Sequence, residues 1–365
     1  MAGIDWAASG LRQRWWVDLL DLQGNVTGTL DGVTAMSVSW KAGAPVRGSG
    51  TLTVTPRADL DLLGAMARIW VETSDPAGNT HTAPILTGHL EADEDSETAA
   101  GSTVTIQVRD PTARLDPQLG TGLWADIGDN VTALLRDYLS RVQITTPALT
   151  DTADTLRTPL IWTADKTWRE VVTTLADTAG LGAAWSDEWG TIHLDPYVLP
   201  RDRPILHEWG HGPRSTQLAA YTVARNTASI PNHLTRVSKS EPDVYPLVSE
   251  IWDTDPASPW STVSRGRTVA DVEVGIDAAS QAILDARAAQ DWAKARRLTR
   301  KFVVGRQWQP ARLGDRVRYR TAPRPRGAET LDGYDTTATL QGYEIRATAG
   351  HPLETAQATL EEVAA

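Results

Sequence analysis

The chain has no cysteine among its 365 residues. That excludes a disulfide framework and any thiolate metal site, and it leaves the redox compartment open. Phenylalanine is nearly absent as well, one residue against 15 tryptophans. Met1 to Gly10 shows no basic region leading into an apolar run, so no secretion signal is expected. No uncharged apolar stretch approaches the roughly 18 residues of a membrane span, so stable membrane insertion is not expected. Basic residues are in the minority: 35 Lys and Arg against 46 Asp and Glu give a formal charge of −11. A general nucleic-acid binder needs a broad basic footprint to release phosphate counterions, and this composition argues against one. Neither a G-x-S-x-G nucleophile elbow nor a Gly-rich phosphate loop following a strand occurs.

What is present points to a folded, multi-part chain. Hydrophobic residues make up 41% and charged residues 22%, enough apolar content for a large core at a length that suits two or more domains. The first 110 or so residues alternate with period two. Arg14 to Leu20, Ala35 to Trp40, Gly50 to Thr55, Arg68 to Thr73, Ala83 to Glu91 and Ser102 to Arg109 read as short strands of a small barrel or sandwich. The acidic run Glu91 to Glu97 between two of them lacks the Gly-centred spacing of a calcium loop and reads as a solvated hairpin tip.

Beyond residue 111 the period becomes helical. Val131, Leu134, Leu135, Tyr138 and Leu139 share one helix face, with Asp129 as the expected N-cap. Thr167-Trp168-Arg169-Glu170 has capping-box form, and Trp168, Val171, Val172, Leu175 and Ala179 trace the buried stripe of a second helix ending at Gly180. A hairpin around Asp187 to Gly190 follows. Residues 214–239 return to strand-like alternation, and Val248 to Arg267 is polar and broken by proline. Asp277 to Thr299 reads as one long helix, and strands at Lys301 to Gln307, Arg316 to Thr321, Thr336 to Ala347 and Leu353 to Glu361 complete a second β-body. The fold class expected is α+β, mostly β.

Three features invite a chemical reading. His207-Glu208-Trp209-Gly210-His211 is a literal H-E-x-x-H, which on a helix sets two imidazoles on one face for zinc. Pro204 and Pro213 flank it and Gly210 and Gly212 interrupt it, so a turn leading into a strand is expected instead. Arg316, Arg318, Arg320, Arg324 and Arg326 form a basic cluster; strand alternation puts the first three on one face, suited to a subunit interface or solvent. The tryptophan excess fits core packing of Trp15, Trp70, Trp168 and Trp292, or alternatively a sugar-binding surface of exposed indoles. No catalytic, cofactor-binding or metal-binding residue is assigned on these grounds.

The last 140 residues carry an ordered succession of blocks: Pro231-Asn232-His233-Leu234-Thr235-Arg236-Val237, then Asp253 to Ser261 with Pro256 and Pro259, then Ser264-Arg265-Gly266-Arg267. An Ala-rich helix ending in Arg296-Arg297-Leu298 comes next, followed by Trp308-Gln309-Pro310-Ala311-Arg312-Leu313-Gly314-Asp315 and a closing pair of strands. In this order the blocks resemble the hub proteins at the tail tip of long-tailed bacteriophages, the baseplate-hub or tail-associated family, along a chain stretch from Trp15 to Val363. The resemblance implies two β-barrel hub domains. Residues 1–111 would form the first, and residues 207–239 joined by 300–365 the second. Segments 112–206 and 240–299 would be α/β insertions, the latter holding the long helix. It further implies a virion protein without enzymatic activity, a homotrimer closing the tail tube at its tip. Its neighbours would be the distal tail protein, the tape-measure protein and tip or fibre proteins. DNA would pass the acidic hub without specific binding. The alternatives are a tail-tip zinc peptidase resting on His207, Glu208 and His211, and a carbohydrate-binding receptor module resting on the tryptophans.

Overall fold

The structure is a computed structural model. It describes the chain apart from residues 1–3, 9, 57–63, 99–100, 157, 197, 211, 213–214, 226, 239–244, 277–280, 296–299, 327–328, 350–352, 354–355 and 363–365. The described chain is mostly β. It divides into two compact units, Met1–Tyr221 with Val303–Leu360, and Thr222–Phe302 with Glu361–Ala365.

The first β-body follows the period-two pattern closely. Its strands are β1 (Arg12–Leu20), β2 (Val26–Thr29), β3 (Val33–Lys41), β4 (Gly48–Val54), β5 (Met66–Ser74), β6 (Thr80–Thr98) and β7 (Gly101–Arg109). Along β3, Met36, Val38 and Trp40 are buried while Thr34 and Lys41 face out. Val38, Leu52, Ile69 and Ile106 are fully enclosed, each contributing about 1.5–3 kcal/mol by leaving water. The strands lie in the order β2-β1-β5-β6-β7-β4-β3. Val17 of β1 and Val38 of β3 stand near opposite ends of this row yet share one core cluster, so the sheet curls around it. β6 changes register against β7 between Leu90 and Ala92. Just before that shift the two backbones nearly touch: a Cβ on Gly88 would lie 2.2 Å from the Arg109 carbonyl oxygen, a space only glycine leaves free. The acidic run, expected at a hairpin tip, instead lies along the β6 arm leading to it, paired with β7 and with Glu94 and Glu97 exposed.

The middle segment holds β8 (Leu123–Ala125), α1 (Val131–Arg141), β9 (Ala148–Leu149), β10 (Leu160–Trp162), α2 (Trp168–Thr178), β11 (Trp185–Ser186) and β12 (Ile192–Leu194). Both helices form where expected, and α2 carries the full capping box between Thr167 and Glu170. The cap of α1 is Asn130, one residue later than expected. Its side chain accepts from the Ala133 N–H at 2.9 Å, whereas the Asp129 carboxylate is taken by the Asp126 N–H in the preceding turn. The inner faces of α1 and α2 meet in a second core cluster containing Leu135, Leu139, Val172 and Leu175. The indoles differ in part from expectation. Trp15, Trp70, Trp168 and Trp292 are only half-buried, while Trp40, Trp162, Trp209 and Trp308 are enclosed. Trp15 and Trp168 press one side against a core cluster and leave the other outside, which ring size permits. The segment leads into β13 (Ile205–Trp209) and β14 (Gln217–Arg225).

The second unit is built on a three-stranded sheet. β15 (His233–Ser238) lies between β16 (Val248–Trp252), antiparallel to it, and β17 (Ala270–Ile276), parallel to it. A single-turn helix α3 (Thr262–Arg265) precedes β17, and α4 (Gln281–Ala295) packs on β15 and β16 with Leu284 and Ala288 buried. The ends expected for this helix, 277–280 and 296–299, lie outside the described residues. β16 falls in the stretch read from sequence as polar and Pro-broken, and β17 was not expected, because its inward positions hold Asp271 and Glu273 rather than apolar residues.

The remaining strands are β18 (Arg300–Arg306), β19 (Arg316–Arg320), β20 (Arg324–Arg326), β21 (Glu329–Leu331), β22 (Asp335–Thr348) and β23 (Ala356–Glu362). The two expected barrels do not appear as closed rings: none of the described sheets closes on itself. One 13-stranded sheet runs through both bodies instead, in the order β14-β18-β23-β22-β3-β4-β7-β6-β5-β1-β2, with β19 on β22 and β13 on β19. β22 is the reason. Its first half pairs with β19 (Arg316↔Thr339 to Arg320↔Asp335), and its second half with β3 (Gly342↔Lys41 to Thr348↔Ala35).

Candidate functional site

His207 and Glu208 lie on a strand. β13 pairs in parallel with β19, and successive side chains on a strand point to opposite faces. His207 Nε2 meets Asp315 Oδ2 at 2.9 Å, and the same carboxylate oxygen accepts the Arg312 N–H at 2.8 Å. Glu208 is turned instead toward Arg320 at 3.7 Å. The spacing therefore does not deliver an imidazole and a carboxylate to one ion. His211 lies outside the described residues. No group of three or more potential metal ligands occurs among the described residues.

The arginines of β19 are already engaged. Arg318 makes a two-pronged contact with Asp335, both distances 3.0 Å, and Arg320 approaches Asp335 and Glu208. Arg316 donates to the backbone carbonyls of Arg201 and Arg203. Asp335 and Glu208 offset the charge that a phosphate backbone would need. Burial pushes the Glu188 carboxyl up despite Arg312 at 3.1 Å, and the enclosed Tyr343 hydroxyl well up.

In the second unit the sequence blocks meet as mutual ties. The Asn232 side chain donates to the Arg267 carbonyl and accepts the Val269 N–H, at 2.9 and 2.7 Å. Asn232 also receives the Asp253 N–H on its own carbonyl, and Asp253 accepts Ser258 Oγ at 2.6 Å. Arg265 reaches the carbonyls of Ile230 and Thr227. Arg236, 5% exposed, sits among Asp271, Glu273 and Asp291 at 3.1, 3.4 and 2.8 Å, joining β15 to β17 and α4. These residues hold loops and strands in place, and no reactive group stands at their centre.

Apolar side chains are exposed at several places, and on two short sheets they share a face. In the first unit Trp124 and Ile161 face each other across β8 and β10, 70% and 78% exposed. In the second unit the sheet face carrying Val248, Trp252, Val272 and Val274 is exposed, and His233 stacks on Trp252 with centroids 3.6 Å apart. Such patches mark contact surfaces more often than reaction sites.

No protein-family model and no curated protein matches the sequence. Solved structures do match. The tail protein from Neisseria meningitidis MC58 superposes over 95% of this chain and 96% of its own, with a TM-score of 0.63 at 15% identity. The 43 kDa tail protein of prophage MuSo2 from Shewanella oneidensis does so over 96% and 98%, with a TM-score of 0.61 at 15% identity. The fold is that of phage tail proteins. A chain of the Francisella PdpA–VgrG complex shares it, with a TM-score of 0.58 at 10% identity, over 97% of this chain and 58% of its own.

Sequence reasoning found the blocks of this tail-protein fold but not what they do in it. Asn232 and Asp253 stand in separate blocks of the sequence, and only the fold brings them together. The Trp124–Ile161 pair carried no signal, because a strand of three residues is too short to show alternation.

Proposed function

We propose that this protein is a structural hub subunit of a phage-type tail. It would form a homotrimer that closes the tail tube at its tip, between the distal tail protein and the tip or fibre proteins, with the tape-measure protein in the lumen. The observation that carries this reading is the end-to-end fold likeness to the Neisseria and Shewanella tail proteins. The two β-bodies of each chain suit a ring in which three protomers present six similar bodies to a sixfold tube. Closed cyclic symmetry would then stop growth at three. The exposed apolar faces at Trp124 and Ile161, and at Trp252 and Val274, provide surface for neighbours to bury. Acidic protomers repel one another at low salt, so those contacts must be extensive. The role is non-enzymatic on this reading, with His207 serving to fix the Asp315 turn. Native mass spectrometry of the purified protein with its distal tail partner is expected to report three copies, and negative-stain images a ring with an axial lumen. A stable dimer, or six copies in one ring, would refute it.

A further inference from the structure

The last residue of β18 is an arginine that points inward. Arg306 is 3% exposed, on the side of the strand that also buries Val304. Its guanidinium stacks on the Trp209 indole, with Cζ 3.7 Å from the ring centroid, and its Nη2 donates to Gln309 Oε1. Trp209, at the end of β13, is itself enclosed, 4% exposed. β14 lies beside β18: the Gln307 N–H donates to the Thr216 carbonyl at 2.9 Å, and a Cβ on Gly305 would stand 2.8 Å from Leu218 Cδ1. That register sets Gln217 next to Arg306. Leu218 meets Gly305 on the outer side, so alternation puts Gln217 on the inner side with Arg306.

Three side-chain donors in this corner are shielded from solvent and have no acceptor among the described residues: Arg306 Nε, Trp209 Nε1 and Gln217 Nε2. The charge is unmatched as well. Burial pulls the Arg306 guanidinium down to about 9, and no carboxylate opposes the fall. A single water could accept from two of the donors, but its own hydrogens would then need acceptors and the charge would stay unbalanced. Turning the Gln217 amide over would offer one carbonyl oxygen, again without negative charge. An anion can accept from all three donors and neutralise the guanidinium, which lowers the cost of burying it.

We propose that this corner is a buried monovalent-anion site, filled by chloride in solution, with Arg306 Nε, Trp209 Nε1 and Gln217 Nε2 as its donors. Enclosure selects for size and charge. An ion that enters must shed its water, which costs far less for a halide than for a doubly charged phosphate or sulfate. One negative charge also matches one guanidinium. The ion ties β13, β14 and β18 together at a single point, so its role is in stability. The site is independent of the tail-hub reading, and either can fail alone.

Thermal melts of the intact protein in sodium chloride, sodium bromide and sodium gluconate test it. At equal ionic strength, about 0.2 M, the three salts screen surface charge alike, so a difference between halide and gluconate reports binding. Chloride and bromide should each raise the Tm by about 2–5 °C over gluconate. Arg306→Met should abolish that gap. Trp209→Phe keeps an aromatic ring, removes one donor and should narrow the gap. Arg318→Gln should leave it intact, because Arg318 is exposed and held by Asp335. Should Arg306→Met fail to fold, crystals of the parent soaked in bromide decide alone, with an anomalous peak expected in contact with Arg306 Nε. Equal melting in all three salts, an unchanged gap in a folded Arg306→Met, or no bromide peak beside Arg306 would overturn the proposal.

Discussion

His89 is a built-in acid sensor of stability. Its Nε2 accepts the Arg114 Nε–H at 2.7 Å, and Arg114 is itself fixed to the Gln143 carbonyl and the Met66 sulfur. Burial, with the Arg114 charge adding to it, lowers the His89 pKa from 6.5 to about 4. The folded protein therefore resists the proton that the unfolded chain accepts near 6.5. Between those values the unfolded state binds more protons, so the stability due to His89 is complete above about pH 6.5 and is lost as pH falls toward 4. A drop of about 2.5 units at about 1.4 kcal/mol each sets a ceiling near 3.4 kcal/mol. At pH 4.5 about 2.5 kcal/mol should already be gone. Protonation would also remove the lone pair that Arg114 uses and set two cations face to face. Urea unfolding of the parent and of His89→Gln at pH 7, 5.5 and 4.5 isolates the effect, because glutamine keeps an acceptor and does not titrate. The parent should lose about 2 kcal/mol more than the variant across that range. Parallel stability curves, or a His89 resonance titrating near 6.5 in the folded protein, would refute the reasoning.

Two further substitutions probe the fold. Gly314 has φ +87° at the turn entering β19, so Gly314→Val should cost about 1–3 kcal/mol in urea unfolding, and an unchanged midpoint would exclude backbone strain there. Arg236→Met keeps the apolar stem but strands Asp271, Glu273 and Asp291 together; a loss of about 3 kcal/mol is expected, against less than about 1 kcal/mol for Asp271→Asn.

Local signals were legible wherever one residue type decides a local conformation. The alternation in β1 and in β3 to β7 and the capping box at Thr167 could both be read directly. The fold class and the resemblance to tail hubs followed from such pieces in order. Long-range features were not legible. β17 hides behind Asp271 and Glu273, whose charges make sense only beside Arg236. The continuity of the two β-bodies depends on both edges of β22 being used, and a sequence pattern reports which face of a strand is buried but not what pairs with its edges.

The shared strand also governs how load passes through the first unit. β19 and β3 both draw their backbone hydrogen bonds from one 14-residue strand, so neither body can swivel against the other without breaking main-chain pairs. A flexible linker would act as a joint; an uninterrupted strand acts as a girder. Torque on one body must reach the other nearly undiminished, and the two should open together under force as a single mechanical element.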